Sequence, residues 1–283
     1  CAIVARWVLS ARPLMIDEIT SVFQARILAA GHLWLPAPRF PEFTSTMQVV
    51  DAQGKVFGQF PVGGPAMLAI GTLLHAEWLV GPAATAIGAF LLARLLRRLE
   101  LRDGSALAAL LLYAFAPFTV FLGGSMMNHV TATAWLLGGA LALALATRDE
   151  RARPGTALLM GLAFGVAATI RPVDAAAFAI PAGAWLLWRA RASRAHLGAL
   201  LMSGVCIAIP LVALLVVNAQ QTGHPLRFGY VELWGRAHEL GFLKAPWGAD
   251  HTPAHGVRVI NSYFLNLLEY FLEAAGPSLV FAT

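Results

Sequence analysis

Charge is what this sequence has least of. Only 12% of its 283 residues are charged, 20 Lys plus Arg against 15 Asp plus Glu, roughly half the share of an ordinary soluble domain. So few charges cannot cover a water-facing surface, which excludes a soluble globular protein and turns much of the outer face toward hydrocarbon. Cysteine is scarce as well: Cys1 opens the chain and Cys206 lies in an uncharged run, so neither a disulfide framework nor a cysteine metal site is expected. β-Branched residues are not in excess and no period-two alternation is sustained, which argues against a membrane barrel. No Walker loop, dinucleotide fingerprint or serine elbow occurs, so nucleotide-driven chemistry has no foothold. Internal repeats, low-complexity tracts and the inverted-repeat signature of a transporter are likewise missing.

What is present is 58% hydrophobic residues and a mean hydropathy of +0.69, carried by Ala, Leu and Gly runs. The fold class is all-α: a polytopic transmembrane helical bundle. The net charge of +5 does not point to nucleic acid, because in such a chain the position of the positive charges matters more than their sum. Half of the basic residues fall in three short stretches: Arg94, Arg97, Arg98 and Arg102; Arg148, Arg151 and Arg153; Arg189, Arg191 and Arg194. Arginine-rich short loops stay cytoplasmic. The uncharged segments between them predict helices at about 80–97, 105–123, 130–146, 155–170, 173–188 and 197–217. The other helix ends then share the opposite, outer face. These are the Ser125-Met126-Met127-Asn128-His129 turn, the Arg171-Pro172-Val173-Asp174 turn, and the chain after Asn218.

Residues 1–12 read as the end of a first transmembrane helix, and the apolar run Pro277 to Thr283 as the start of another, so the chain is expected to be a fragment. Residues 13–61 form a first external loop, too polar to span and broken by Pro36, Pro38, Pro41 and Pro61. Residues 62–218 make the helical bundle, 219–256 a second external loop, and 257–283 a further helix with the start of a truncated span. Residues 62–76 are apolar but short. A full crossing there would put the arginine loops outside, so this segment is expected to dip in or lie against the bundle. In the first loop, Ile19, Val22, Phe23, Ile27 and Ala30 have helical spacing, with Asp17 at the N-cap and Gly31 at the stop. This amphipathic juxtamembrane helix is expected to lie along the membrane surface.

The few ionisable residues left on the outer face are the candidates for chemistry. Asp17 and Glu18, at a membrane boundary, could supply a general base, or else only an N-cap and a first-turn charge. Asn128 and His129 sit between two long uncharged helices, where an ionisable group is a functional hypothesis by default; the alternative is an exposed loop histidine. Arg171 could grip a phosphate, or simply pair with Asp174. The Asp250-His251-Thr252-Pro253-Ala254-His255 segment offers His251 and His255 to a substrate, or with Asp250 to a divalent metal, the one cofactor with any candidate ligands. Met126-Met127 and the aromatic residues read as packing and interface anchors.

The order of these features resembles the membrane glycosyltransferases of the GT-C class, in particular the protein mannosyltransferase group and the bacterial lipid A aminoarabinose transferases. The resemblance rests on the Asp-Glu pair after the first helix, on "QARILAAGHLW" and "GKVFGQFPVGGPAMLAIG", and on the later "SMMNH", "RPVD" and "GFLKAPWGADHTPAHG". It covers nearly the whole chain, and the family is longer. It implies an inner-membrane, multi-pass enzyme that takes a sugar from a polyprenyl-phosphate carrier. Transfer would be with inversion, to a glycan, lipid or protein acceptor on the periplasmic or extracellular side. Asp17, with Glu18 beside it, is then the carboxylate that deprotonates or orients the acceptor hydroxyl, and Arg171 the candidate for the donor phosphate. The chain departs from the family in two places. Gln59-Phe60-Pro61-Val62 replaces a Lys-Pro-Pro-Leu run, so a lysine role there is lost. Asn128-His129 stands where several members have a second acid, which leaves the metal open. Two readings from other classes compete: a transporter or flippase of a lipid-linked or polar substrate, and a non-catalytic membrane scaffold.

Overall fold

The computed structural model describes residues 1–43, 46–148, 154–239, 241–244 and 250–266. It is mostly helical. A wide helical turn at Val4–Val8 leads to α1 (Ile16–Ala29), followed by a three-stranded antiparallel sheet of β1 (Leu35–Pro36), β2 (Val49–Ala52) and β3 (Lys55–Gly58), in the order β1-β3-β2. Next come α2 (Gly63–Leu73), α3 (Val80–Arg98), α4 (Asp103–Phe115), α5 (Pro117–Gly124) and α6 (His129–Arg148). The remaining helices are α7 (Pro154–Ile170), α8 (Pro172–Ala190), α9 (Arg194–Thr222), the short α10 (Gly229–Trp234) and α11 (Pro253–Asn266). Arg151, Arg153, residues 267–274 of the expected last helix and the run to Thr283 lie outside the described residues.

The spans expected at 80–97, 130–146, 155–170, 173–188 and 197–217 correspond to α3, α6, α7, α8 and α9. The one expected at 105–123 is two helices, α4 and α5, bent by 47°. Pro117 explains the break: it lacks an N–H, and its ring pushes Ala116 into extended backbone at ψ 129°. Among the described residues, three helices are long and apolar enough to cross a membrane, Glu77–Arg98, His129–Thr147 and Arg194–Thr222; the bent pair makes a fourth if it crosses as one unit. At 17 residues α7 falls short of that measure. It is the buried centre of the bundle, between α6 and α9, with Met160, Phe164 and Ala167 in a core shared with Leu136, Ala182 and Leu186. The segment at 62–76 holds the 11-residue α2, about 16 Å long and so shorter than the hydrocarbon core, which packs on α1 and α7.

The first loop corrects one expectation. Its helix begins one residue before Asp17 and is capped at Met15, so Asp17 stands in the first turn and is not the N-cap. α1 is buried on its polar side as well as on its apolar one: Thr20, Ser21 and Gln24 are buried together with Val22 and Ile27, while Ile19 is exposed. The polar stripe faces inward because it has backbone to satisfy there: Gly58 N–H donates to Gln24 Oε1 at 2.8 Å, and Gln24 Nε2 donates to Leu33 O at 3.0 Å. Its C-terminus is as expected. Gly31 adopts φ +81°, and His32 N–H and Gly31 N–H return to the carbonyls of Ile27 and Leu28.

Small residues let α7 and α9 approach closely. A Cβ added at Gly161 would lie 2.2 Å from Ser203 O on the facing helix, whereas one added at Gly198 of α9 meets nothing. Gly161→Ala is therefore expected to cost about 1–3 kcal/mol by overpacking, and Gly198→Ala to be neutral or stabilising by about 0.5–1 kcal/mol through helix propensity. Thermal unfolding of the two purified variants in one detergent checks the contrast.

Candidate functional site

The site is organised by Glu18, which is 2% exposed. Its Oε2 accepts the N–H groups of Leu14 (2.6 Å) and Met15 (3.1 Å), two donors that the start of α1 would otherwise leave unpaired. Its Oε1 accepts Met126 N–H at 3.1 Å, across more than a hundred residues of chain. One carboxylate thus starts α1 and fastens it to the turn between α5 and α6. Val22, Ala25, Leu68, Ala69 and Met126 close an apolar cluster beneath the joint.

That fastening sets Asp17 beside the start of α6. Asn128 and His129 enter there, and Arg171, Pro172, Val173 and Asp174 enter from the α7–α8 turn. With Ser21, Phe60, Pro61, Met127, Ile170 and Tyr230, they line one cavity of about 240 Å³. The glycines of the "PVGGP" run allow the walls to close up. A Cβ at Gly63 would fall 2.2 Å from Thr169 Oγ1 and 2.6 Å from its backbone, and one at Gly64 would fall 3.1 Å from Asn128. The opposite helix ends are also tied together, since Arg189 Nη2 donates to Thr147 O at 3.0 Å.

Asp17 is half-buried and accepts a hydrogen bond on Oδ1 from Gln48 Nε2 at 2.5 Å. Arg171 pairs through Nε with Asp174 Oδ2; among the described residues its terminal Nη atoms carry no bond, so they are available to a second anion. His129 meets Phe118 edge-on with ring centroids 6.1 Å apart, and its Nδ1 is buried with no partner. Tyr230 is stacked on Phe228 at 5.3 Å. Burial pushes its phenol above the usual range, so Tyr230 stays a neutral hydrogen-bond donor at the cavity wall. Carboxylate, imidazole, guanidinium and phenol therefore share a space the size of a small polar headgroup.

Of the residues singled out in the sequence, Asp17, Asn128, His129 and Arg171 come together here, with Asp174. Glu18 does not line the cavity; its oxygens are occupied by backbone. His251 and His255 do not line it either. His251 stacks on Phe242 at 5.5 Å and meets His255 edge-on at 6.0 Å. Among the described residues, no three His, Cys, Asp or Glu side chains are grouped to hold a metal ion. Gln48 and Tyr230 were not singled out. Neither belongs to a motif, and each arrives from a distant segment.

A second, larger groove of about 630 Å³ runs between α2, α3, α6 and α7. Its walls include Met67, Ile70, Ile87, Leu91, Trp135, Leu141 and Leu159. Among the described residues its lining contains no charged side chain, and Thr131 in that lining is about half a turn along α6 from His129. Neither a family model, nor a curated protein, nor a solved structure matches this chain.

Replacing Glu18 by Ala leaves three N–H groups without their acceptor. Each buried orphan costs about 1–3 kcal/mol, so Glu18→Ala is expected to lower the thermal midpoint sharply, while Asp17→Asn leaves it near wild type. Circular dichroism melts of both variants read the difference directly.

Proposed function

We propose that this chain is part of an integral-membrane glycosyltransferase that moves a sugar from a polyprenyl-phosphate carrier to an acceptor hydroxyl, with inversion, at the outer face of the inner membrane. The observation that carries the reading is one cavity in which a half-buried carboxylate, Asp17, and a guanidinium, Arg171, stand at the same end of the bundle. The long apolar groove alongside supports it, because a lipid-linked donor needs a polar place for phosphate and sugar and an apolar one for its tail. The arginine-rich helix ends lie opposite, which supports an outward-facing site by the charge rule.

In this reading Asp17 takes the proton of the acceptor hydroxyl as its oxygen attacks the anomeric carbon. The new glycosidic C–O bond forms while the bond to the phosphate oxygen breaks, and that electron pair leaves on the phosphate. Arg171 faces the growing negative charge with its unpaired Nη atoms, and Tyr230 adds a neutral donor. Only interactions that strengthen as charge develops raise the rate, and a guanidinium aimed at the leaving phosphate is of that kind. Asn128 and His129 border the same space and are placed to orient sugar hydroxyls. The ionisable groups lie at helix ends and not within broken helices at mid-bilayer, which weighs against a transporter.

Purified full-length protein in lipid nanodiscs, given polyprenyl-phosphate-linked sugars, is expected to release polyprenyl phosphate. Asp17→Asn should abolish release with folding intact, and Arg171→Gln should lower kcat by about 10²–10³-fold, the usual loss when one charge-stabilising donor is removed. Wild-type turnover in Asp17→Asn would sink the assignment of the base.

A further inference from the structure

Gln48 carries two local costs with no evident local benefit. Its φ is +69°, in the left-handed region that a side chain with a Cβ avoids and that Gly or Asn would enter easily. Among the described residues its buried Oε1 has no hydrogen-bond partner, a loss that folded proteins rarely tolerate without reason. The turn does not need a glutamine for its own sake. Its tie to the residue just after β3 is a backbone bond, Gln59 N–H to Gln48 O at 3.1 Å, which any residue would make. What the side chain alone supplies is the 2.5 Å bond from Nε2 to Asp17 Oδ1. Among the described residues that is the only hydrogen bond on the Asp17 carboxylate. Strain and an orphaned polar atom at a residue touching a candidate base point to function more than to folding.

We propose that Gln48 is the positioning residue for Asp17, on the reading of Asp17 as the acceptor base. By holding Oδ1, the amide fixes the plane of the carboxylate and leaves Oδ2 to take the acceptor proton. The left-handed backbone is what lets a residue from the turn before β2 reach down to the first turn of α1. The orphaned Oε1 follows from the same geometry: turning the amide to satisfy it would face the wrong atom to the carboxylate. A base held within a few tenths of an ångström matters, since a misplacement of about 1 Å can cost about 10²-fold in rate.

The test uses full-length protein in nanodiscs with a polyprenyl-phosphate-linked sugar as donor. Gln48→Gly removes the amide and relieves the backbone, so its unfolding midpoint should equal or exceed that of wild type, while kcat falls by about 10²-fold with KM for the donor unchanged. Gln48→Asn keeps a tolerated left-handed residue but is one methylene too short to reach Asp17, and should lose kcat in the same way. Wild-type kcat in either folded variant overturns the positioning role and leaves Asp17 as the base. Loss of folding in both variants overturns it too, in favour of a structural role. A wild-type protein that releases no polyprenyl phosphate overturns the transfer reading and the role of Gln48 with it.

Discussion

The architecture of the cavity end of the bundle depends on one buried carboxylate. Among the described residues Glu18 has no cation beside it; three backbone N–H groups hold it, two at the start of its own helix and one from the turn before α6. A buried acceptor set of this kind is directional, so it fixes both the height and the rotation of α1 against the bundle. That rotation decides everything at the cavity. Asp17 is the neighbouring residue, about 100° around the helix, and it faces the space that Glu18 is turned away from.

The same geometry explains why the sequence could not separate the two acids. Adjacent carboxylates look alike in a linear reading, and only their phase on a helix with a known buried side tells them apart. The amphipathic pattern found only part of the buried surface of α1: Val22 and Ile27 are interior as it predicts, but Thr20 and Gln24, whose amide bonds to Gly58 N–H and Leu33 O, are interior too despite their polarity. Hydropathy assumes that polar means exposed, and a short helix packed on loops breaks that assumption. In the bundle, where the environment is uniformly apolar, the reading held closely: five of the helices are where the uncharged runs are, and Pro117 alone bent an expected span into two.

Much of the candidate site was legible for a related reason. In a chain with few charges, the arginine loops sort the helix ends into two groups, and the outer group contains the Asn128-His129 and Arg171-Asp174 turns. Both line the cavity with Asp17. What was not legible came from long-range closure. Gln48 reaches Asp17 only because of a left-handed turn residue, and Tyr230 arrives after α9 on a helix of six residues. No spacing rule signals either. The histidines at 251 and 255, a conspicuous cluster in the sequence, stack on Phe242 and meet each other edge-on, and do not line this cavity.

The proposed transfer needs two adjoining spaces to serve one lipid-linked donor: the polar cavity lined by Asp17 and Arg171, and the apolar groove along α2, α3, α6 and α7. The most direct measurement is to label the full-length protein in nanodiscs with a polyprenyl phosphate bearing a photoreactive group next to the phosphate, and to map the adducts by mass spectrometry. Adducts concentrated at residues 126–130 and 170–174, and displaced by unlabelled polyprenyl phosphate, are the expected result. Adducts confined to the arginine-rich helix ends, or spread over the lipid-facing side of α9 without competition, would contradict it.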